Sequence, residues 1–259
     1  MDLQLAGQVA VVVGAARGLG RAIAAAFAAE GAGVALLDVS PDVRAAGPDA
    51  WVVDVTDYAA VRAAAGEVRQ RFGRVDQVVF AAGVGSGKFG FPFWQLDPSD
   101  WDRVLRVNLV GAVNVAHAFA PGLAEQRGGT MLFLASVAGQ IGSQTDPPYS
   151  ASKAGLINFA QCAAKDLAPF GVRVNALCPG MVKTPLNRSV WQAWADRQPP
   201  GARQDYESWA AEKIARLVPL NRWQAPEDVA AMAVFLASER AANVTGQTIN
   251  VDGGYVMHW

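Results

Sequence analysis

The sequence predicts an α/β fold, a doubly wound parallel sheet of about seven strands with helices on both faces. Short β-branched, apolar runs alternate with longer helical patterns along the chain. The first run, residues 9–13, shows no polar alternation, as is typical of a strand covered on both faces. Strands that alternate with helices form right-handed βαβ units, which make the sheet parallel. Neither a repeat nor a linker interrupts the pattern, so we expect one domain over residues 1–259.

Apolar runs locate the strands, and turn residues locate the helix ends. We expect strands at residues 9–13, 34–37, 51–53, 75–81, 130–135, 172–177 and 248–251. We expect helices at residues 19–30, 58–72, 99–123, 149–168 and 226–237. Gly31 and Gly171 follow two of these helices and Pro226 opens another, each at the end that it favours. The link between the second and third strands allows only a turn, and residues 181–220 are expected to be irregular to helical.

Composition excludes several classes of protein. The chain has 22 Lys and Arg against 23 Asp and Glu, a net charge of −1, and a nucleic-acid binder should instead show a basic excess. No apolar run reaches the roughly 18 residues of a membrane span, and the N-terminus is acidic at Asp2 where a signal peptide would be basic. Cys162 and Cys178 lack metal or redox spacing, so we expect no metal site and two buried, reduced thiols in a cytoplasmic protein.

A glycine-rich loop follows the first strand and opens the first helix. Gly14, Gly18 and Gly20 allow a tight turn and a close backbone approach to a pyrophosphate, where free N–H groups of the helix point outward. Arg17 and Leu19 lie in the same loop and are expected to contact the nucleotide. An ordinary turn could also use such glycines, but the position between a strand and a helix favours dinucleotide binding.

Two acidic residues end the next strands. Asp38 ends the second strand, where a carboxylate accepts the adenosine ribose hydroxyls and repels a 2′-phosphate, which favours NAD over NADP. Its alternative role is a cap beside Ser40, and Arg17 could help to hold a 2′-phosphate. Asp54 and the adjacent Val55, after the third strand, are expected at the adenine, although Asp54 could instead cap the next helix.

Three residues predict proton transfer. Tyr149 and Lys153 are four apart on one helix face, and Ser136 ends the fifth strand. A phenol with a pKa near 10 is a poor base, but a nearby ammonium lowers that pKa. The Ser136 hydroxyl can hold a substrate oxygen. Together these groups can exchange a proton with that oxygen while a hydride moves to or from a nicotinamide.

With these motifs the chain resembles the short-chain dehydrogenase/reductase family over residues 8–254. Further matches are Asn108 in the long helix and the stretches 179–180, 243–247 and 251–254. The resemblance implies a Rossmann-type sheet, a Ser136, Tyr149 and Lys153 site, and assembly as a homotetramer, with a dimer as the alternative.

The resemblance also assigns roles to single residues. It implies that Asn108 holds a water in a proton relay through Lys153, which itself touches the nicotinamide ribose. It also implies that residues 179–184 cover the nicotinamide. The cofactor contacts expected there are Pro179, Gly180, Val182 and Thr184.

The chain departs from the family pattern at two strand ends. Val13 stands where the family usually has Thr, and Ala81 stands where it usually has Asn before Ala82 and Gly83. These ends should be neighbours, and the loss of both polar partners together can be nearly neutral. We therefore expect an apolar contact there, with Ala82 and Gly83 still at the cofactor.

Loops above the strand ends should select the substrate. Trp94 and Trp191 lie in two aromatic segments, residues 85–96 and a lid at about 184–220, and are expected at the substrate together with Ser136. Gln140 and Gln144 could bind hydroxyls. Alternatively, the aromatic side chains pack the lid against the body or subunit against subunit.

The end of the chain carries a further aromatic residue. The apolar tail at Trp259 is expected to be buried against a neighbouring subunit.

The expected function is NAD-dependent oxidation of a secondary alcohol, such as a polyol, a sugar derivative or another small hydroxyl compound. The alternative is a 3-oxoacyl thioester reductase, which would prefer NADPH and need a basic patch for an acidic carrier, with Arg103, Arg106 and Arg127 available. A third hypothesis is a non-catalytic dinucleotide sensor. That hypothesis predicts a degraded Ser, Tyr and Lys set, whereas this set is intact.

Overall fold

The computed structural model describes residues 2–257, whose seven strands form one parallel sheet in the order β3-β2-β1-β4-β5-β6-β7. The strands are β1 Val9–Val13, β2 Gly33–Asp38, β3 Ala50–Val52, β4 Gln77–Phe80, β5 Gly129–Leu134, β6 Val172–Pro179 and β7 Thr248–Val251. The predicted doubly wound parallel sheet is confirmed. The expected burial of Trp259 concerns a residue outside the described part of the chain.

Helices cover both faces of this sheet. They are α1 Gly18–Ala29, α2 Tyr58–Phe72, α3 Pro98–Leu105, α4 Gly111–Gln126, α5 Pro147–Leu167, α6 Pro185–Ala195, α7 Tyr206–Leu217 and α8 Pro226–Ala237. Successive side chains of β1 point to opposite faces, so Val11 and Val13 pack with α2, α4 and α5, while Ala10 and Val12 pack with α1 and α8. Each face therefore has its own apolar core.

Two connecting segments can be compared with their predicted structure, the link between β2 and β3 and the segment after β6. The link is a 3-10 helix, Pro41–Ala46, as expected for a short turn. The segment after β6 forms two regular helices, α6 and α7. Thr184 begins α6, where its hydroxyl accepts a hydrogen bond from the Asn187 backbone N–H, and Pro185 takes the first helical position.

The long helix predicted at residues 99–123 is not continuous. A π-helical turn, Arg106–Val110, separates α3 from α4. Such π-helical turns are frequent at functional sites. The turn carries Asn108 on its buried side.

This helical stretch, Pro98–Gln126, also meets a membrane criterion. By length and composition it is the one helix among the described residues that could cross a membrane, with a mean hydropathy of 1.3. The expectation that no segment is long and apolar enough to span a membrane is therefore wrong for this helix. Its Ala112, Val115, Phe119 and Leu123 are buried in the core beside α2 and α5, as in a core helix.

The two unusual strand ends are neighbours, as expected. The Ala81 N–H donates to the Val13 carbonyl over 2.8 Å. The backbone of the glycine loop passes so close that a Cβ on Gly14 would lie 2.6 Å from the Ala82 nitrogen. The two strand ends therefore meet through their backbones, and each carries an apolar side chain, Val13 or Ala81.

We predict that Gly20→Ala destabilises the fold while Gly66→Ala does not. A Cβ on Gly20 would lie 2.1 Å from the Gly14 carbonyl oxygen, a backbone atom that cannot swing away. The expected loss in the free energy of unfolding is about 1–3 kcal/mol or more. Gly66 lies in α2 with open space around it, so alanine there should stabilise by up to about 1 kcal/mol. Urea denaturation measures both changes, and equal stability of the two variants would contradict the tight loop.

Candidate active site

The glycine loop lies between β1 and α1, at the carboxyl edge of the sheet. Gly14 and Gly18 adopt φ values of 87° and 58°, in the left-handed region that favours glycine. Arg17 begins α1 in an extended conformation and gives the first turn no side-chain hydrogen bond. The N–H groups of that turn therefore face outward without a side-chain cap, as an anion site requires.

Asp38 ties this loop to the end of β2. One carboxylate oxygen accepts from the Ala16 backbone N–H and the other from the Ser40 N–H, both over 2.9 Å. Each oxygen has two lone pairs, so each can accept one more hydrogen bond. The carboxylate thus stands beside the loop glycines, and its alternative role beside Ser40 is also in place. The tight cradle, the uncapped helix and this carboxylate together fit a dinucleotide.

Asp54 and Val55 follow β3. Asp54 accepts from both the N–H and the hydroxyl of Thr56, whereas Asp57 caps α2. The alternative role of Asp54 as the cap of α2 is therefore not used. Val55 is buried, and a Cβ on Gly111 would lie 2.6 Å from its side chain. Val55 therefore packs closely against the start of α4.

Ser136 and Tyr149 meet above the end of β5. The Ser136 hydroxyl accepts from the Ala138 backbone N–H over 3.1 Å, and Ser136 and Tyr149 line the same cavity. Burial raises the pKa of Tyr149 to about 12, although interaction with Ser136 opposes the rise. The two hydroxyl residues, 13 positions apart in the sequence, are thus brought to one cavity.

Lys153 is buried one turn further along α5. Its Nζ donates to the Leu134 carbonyl over 2.6 Å and lies 5.5 Å from the centre of the Tyr149 ring. Burial lowers the pKa of Lys153 to about 8. The expected depression of the Tyr149 pKa by this ammonium is therefore wrong for the structure. Desolvation of the phenol dominates while the ammonium is turned toward Leu134.

Asn108 connects the π turn to the end of β4 and to α5. Its Oδ1 accepts from the Val84 N–H, and its Nδ2 donates to the Val84 carbonyl and to the Ser152 hydroxyl, over 2.8–3.0 Å. A Cβ on Gly83 would lie 3.4 Å from the Lys153 Nζ and 3.6 Å from the Asn108 Oδ1. Asn108, Gly83 and Lys153 are thus brought together, but protein groups already use the Asn108 carboxamide.

A cavity of about 250 Å³ joins the proton-transfer groups to residues 179–184. Ser136, Tyr149 and Leu19 line it on one side. The segment expected over a nicotinamide supplies Pro179, Gly180, Val182 and Thr184.

Of the substrate residues predicted from the sequence, Ser136 lines this cavity, whereas Gln140 and Gln144 do not. Gln140 and Asn250 exchange two hydrogen bonds between their carboxamides, and Gln144 is exposed between the two lining residues Ser143 and Thr145. Hydrogen bonding across the fold, rather than proximity to Ser136 in sequence, fixes the position of Gln140.

Neither predicted tryptophan faces the cavity. Trp94 is 72% exposed and packs on Phe93, with 5.4 Å between ring centres. Trp191 packs on Tyr206 and donates to the Gln204 carbonyl. Trp191 thus joins an aromatic cluster within the 184–220 segment, as the packing alternative expects.

Several lining residues escaped sequence reasoning. Phe89, Trp209, Lys213 and Tyr255 line the cavity, and so does Asp146, which is 4% exposed. Trp209 and Lys213 are four residues apart in α7, so helical spacing would have placed them on one face if the boundaries of α7 had been predicted.

Asp146 is an unusual wall group. One oxygen accepts from the Ser86 N–H over 2.9 Å, while Oδ1 is buried without a partner among the described residues. Burial raises the pKa of this carboxyl.

The rim of the cavity is closed by contacts between distant segments. The Gly90 N–H donates to the Thr145 carbonyl over 2.6 Å. The Arg197 guanidinium lies 4.9 Å from the centre of the Phe91 ring. The 85–96 loop is therefore held to the end of α6 and to the start of α5.

The two cysteines differ in exposure. Cys178 is buried under the site, where burial raises the pKa of its thiol to about 11. Cys162 is exposed, so its predicted burial is wrong. It lies on the solvent side of α5, between the inward-facing Ala160 and Ala163.

Comparisons with known proteins agree with this geometry. The family model described as "Enoyl-(Acyl carrier protein) reductase" matches residues 14–256. The 3-oxoacyl-(acyl-carrier-protein) reductase FabG of Thermotoga maritima is 35% identical, over 98% of this chain and 100% of the relative. The D-threitol dehydrogenase of Mycolicibacterium smegmatis is also 35% identical, over 99% and 95%.

A solved structure is similar over nearly its whole length. Ligand-free aldohexose dehydrogenase of Thermoplasma acidophilum superposes with a TM-score of 0.88 at 29% identity, over 98% of this chain and 96% of that one. With the family model and these relatives, the chain belongs to the short-chain dehydrogenase/reductase family. Members use a nicotinamide dinucleotide, and the chain is an oxidoreductase that acts on CH–OH groups.

We predict that Lys153→Met changes the pH dependence of stability. The pKa of Lys153 is lowered on folding, so the unfolded state binds more protons between about pH 8 and 10.5, and stability from this group rises with pH there. Relative to wild type, the uncharged variant should be favoured most near pH 7 and lose that advantage toward pH 10. Urea denaturation at both pH values measures it.

Lys165→Met is the matched control, because Lys165 is exposed in the last turn of the same helix. Its effect should be the same at both pH values. A Lys153→Met effect equally independent of pH would contradict the buried ammonium.

Proposed function

We propose that this protein is an NAD-dependent dehydrogenase that interconverts a secondary alcohol and a ketone of a small hydroxyl compound, such as a polyol or a sugar derivative. The observation that carries the proposal is that Ser136 and Tyr149 line one cavity together with the segment 179–184. When bound, the nicotinamide supplies hydride transfer.

The chain's own residues would move the proton. Ser136 holds the substrate oxygen, and Tyr149 accepts its proton in oxidation or donates one in reduction. With a pKa of about 12 the phenolate is scarce at neutral pH, so Tyr149 needs help from a nearby cation. With a pKa of about 8 Lys153 is mostly charged at pH 7, and a turn away from the Leu134 carbonyl would bring its ammonium to the phenol and the cofactor ribose.

Asn108 completes the proposed proton path. Its side chain holds Val84 and Ser152 beside Lys153, which supports a positioning role at the end of the relay. The water that the relay needs would lie between the π turn and the lysine.

Asp38 supports NAD as the cofactor. Its carboxylate is held beside the glycine loop with one lone pair left on each oxygen for ribose hydroxyls, and its charge opposes a 2′-phosphate. Arg17, exposed in the same loop, is the residue that would favour NADP.

The second candidate is a 3-oxoacyl thioester reductase. The similarity to the Thermotoga maritima reductase favours it as much as the similarity to the threitol dehydrogenase favours a polyol. A cavity of about 250 Å³ suits a small substrate better. Of the three arginines available for an acidic carrier, Arg106 is already paired with Asp102 and Arg127 donates to the Pro169 carbonyl.

Other expectations stay predictions. They are the homotetramer, the cytoplasmic location and the substrate lid at residues 184–220. An intact Ser136, Tyr149 and Lys153 set argues against the non-catalytic sensor.

We predict that Tyr149→Phe lowers kcat by about 10²–10⁴-fold, because the variant keeps the ring but lacks the proton-transfer group. Initial rates with NAD and small secondary alcohols, together with calorimetric binding of the cofactor, measure the effect. Tyr149 is also expected to contact the cofactor, so the affinity for the cofactor should fall, but much less than kcat. A variant that turns over at the wild-type rate would refute the assignment.

We predict that wild type prefers NAD and that Asp38→Asn narrows this preference by roughly tenfold or more. The amide keeps an acceptor for the Ala16 N–H but removes the charge that opposes a 2′-phosphate. The ratio of kcat/KM values for the two cofactors measures it. Asp42→Asn removes an exposed carboxylate four residues later and should leave the ratio unchanged. A wild-type preference for NADP would overturn the interpretation of Asp38.

A further inference from the structure

We propose that Lys213 binds an anionic group of the substrate, so that the substrate class is a secondary alcohol, or its ketone, that also carries a carboxylate or a phosphate. This inference rests on the proposed function and narrows it. It concerns the part of the cavity wall that α7 supplies.

One face of α7 forms that wall. Trp209, Lys213 and Leu217 are spaced by four residues and all line the cavity that also holds Ser136 and Tyr149. The lysine therefore belongs to the same face as two apolar wall residues and shares their cavity with the proton-transfer pair.

The acidic residues of the same helix are engaged elsewhere. Glu207 pairs with Lys183 over 2.6 Å, and Glu212 accepts from the Gln204 carboxamide over 3.0 Å. Asp205 caps the helix at the Ser208 N–H. Within residues 2–257, no carboxylate forms an ion pair with Lys213, although eight other ion pairs are present.

The environment of Lys213 makes this lack of a partner costly. The side chain is half-buried, with Nζ 4.3 Å from the centre of the Trp209 ring. Burial lowers the pKa of the ammonium, and the nearby positive charge of Arg216 lowers it further. An anion bound at Nζ would compensate both effects.

Trp209 prepares Lys213 for such a ligand. Attraction between the ammonium and the ring face fixes the cation but cannot use all three of its N–H donors. Trp209 is itself 3% exposed and packs in an aromatic cluster with Tyr206, so the platform is rigid. The result is a preorganised cation with donors to spare.

The other charged residue in the cavity wall, Asp146, does not pair with Lys213. Asp146 lines the cavity too, but it is tied to the Ser86 N–H and lies beyond ion-pair distance of Lys213. The remaining lining is largely apolar, including Phe89, Val190 and Leu217. A substrate anion therefore has one cation to meet, at the wall that α7 forms.

Binding of small probes to the NAD-loaded protein tests this inference. Butanoate and its neutral analogue butanamide form one pair, and glycerol 3-phosphate and glycerol form another, so that carboxylate and phosphate are tested apart. Titration calorimetry and Trp fluorescence at constant ionic strength follow binding. We expect wild type to bind at least one anion roughly tenfold or more tightly than its neutral analogue.

Matched variants locate the effect. Lys213→Met should abolish the preference for the anion, and Lys213→Arg should keep most of it. Lys165→Met removes an exposed cation from α5, outside the cavity, and should leave the preference for the anion unchanged. Far-UV circular dichroism checks that each variant is folded.

Equal binding of anionic and neutral probes by wild type would overturn the inference, whether or not Lys213→Met folds. A preference that survives in folded Lys213→Met would overturn it as well. Turnover separates this from the proposed function. Oxidation of anionic secondary alcohols with the same kcat/KM in wild type and in folded Lys213→Met refutes the anion site and leaves the dehydrogenase standing. Failure to oxidise any neutral or anionic alcohol with NAD or NADP refutes the dehydrogenase, while the binding results still decide the anion site.

Discussion

The buried ammonium of Lys153 is the constraint around which the site is built. A charge without water must find hydrogen-bond partners, and here the Leu134 carbonyl at the end of β5 supplies one. The close approach of Gly83 and the π turn that carries Asn108 surround it. The same burial that makes the charge of Lys153 costly lowers its pKa to about 8.

Small and bulky side chains lie in different parts of the structure. Glycine and alanine stand where backbones meet at the loop, because a Cβ on Gly14 or Gly20 would strike backbone atoms. Aromatic residues concentrate instead in the 184–220 segment, where Tyr206 and Trp209 anchor a cluster with five further apolar side chains. This cluster makes the segment stiff and turns one face of α7 toward the cavity.

Sequence reasoning found the sheet, the glycine loop, Asp38 and the proton-transfer residues. Each depends on local spacing, since a strand followed by a glycine turn, or a Tyr four residues before a Lys on a helix, fixes geometry over one or two turns. The structure places Ser136 and Tyr149 in the wall of one cavity, and their roles stay proposals.

The substrate wall could not be predicted for the complementary reason. Gln140 pairs with Asn250, 110 residues away, and Trp191 is used in packing, so neither position follows from its neighbours in sequence. Lys213 shares a helix face with the other wall residues only because α7 spans Tyr206–Leu217, and the sequence did not predict these boundaries. The π turn at Asn108 likewise has no pattern in the sequence that separates it from an ordinary helix.

The most direct measurement of the central claim is transfer of isotope from substrate to cofactor. Purified protein would be incubated with NAD and small secondary alcohols, neutral and anionic, that carry deuterium on the carbinol carbon. Mass spectrometry would then measure the mass of the reduced cofactor. Direct hydride transfer predicts reduced nicotinamide that contains one deuterium. Ketone formation without label in the cofactor, or no reduction of NAD or NADP by any of these alcohols, would contradict it.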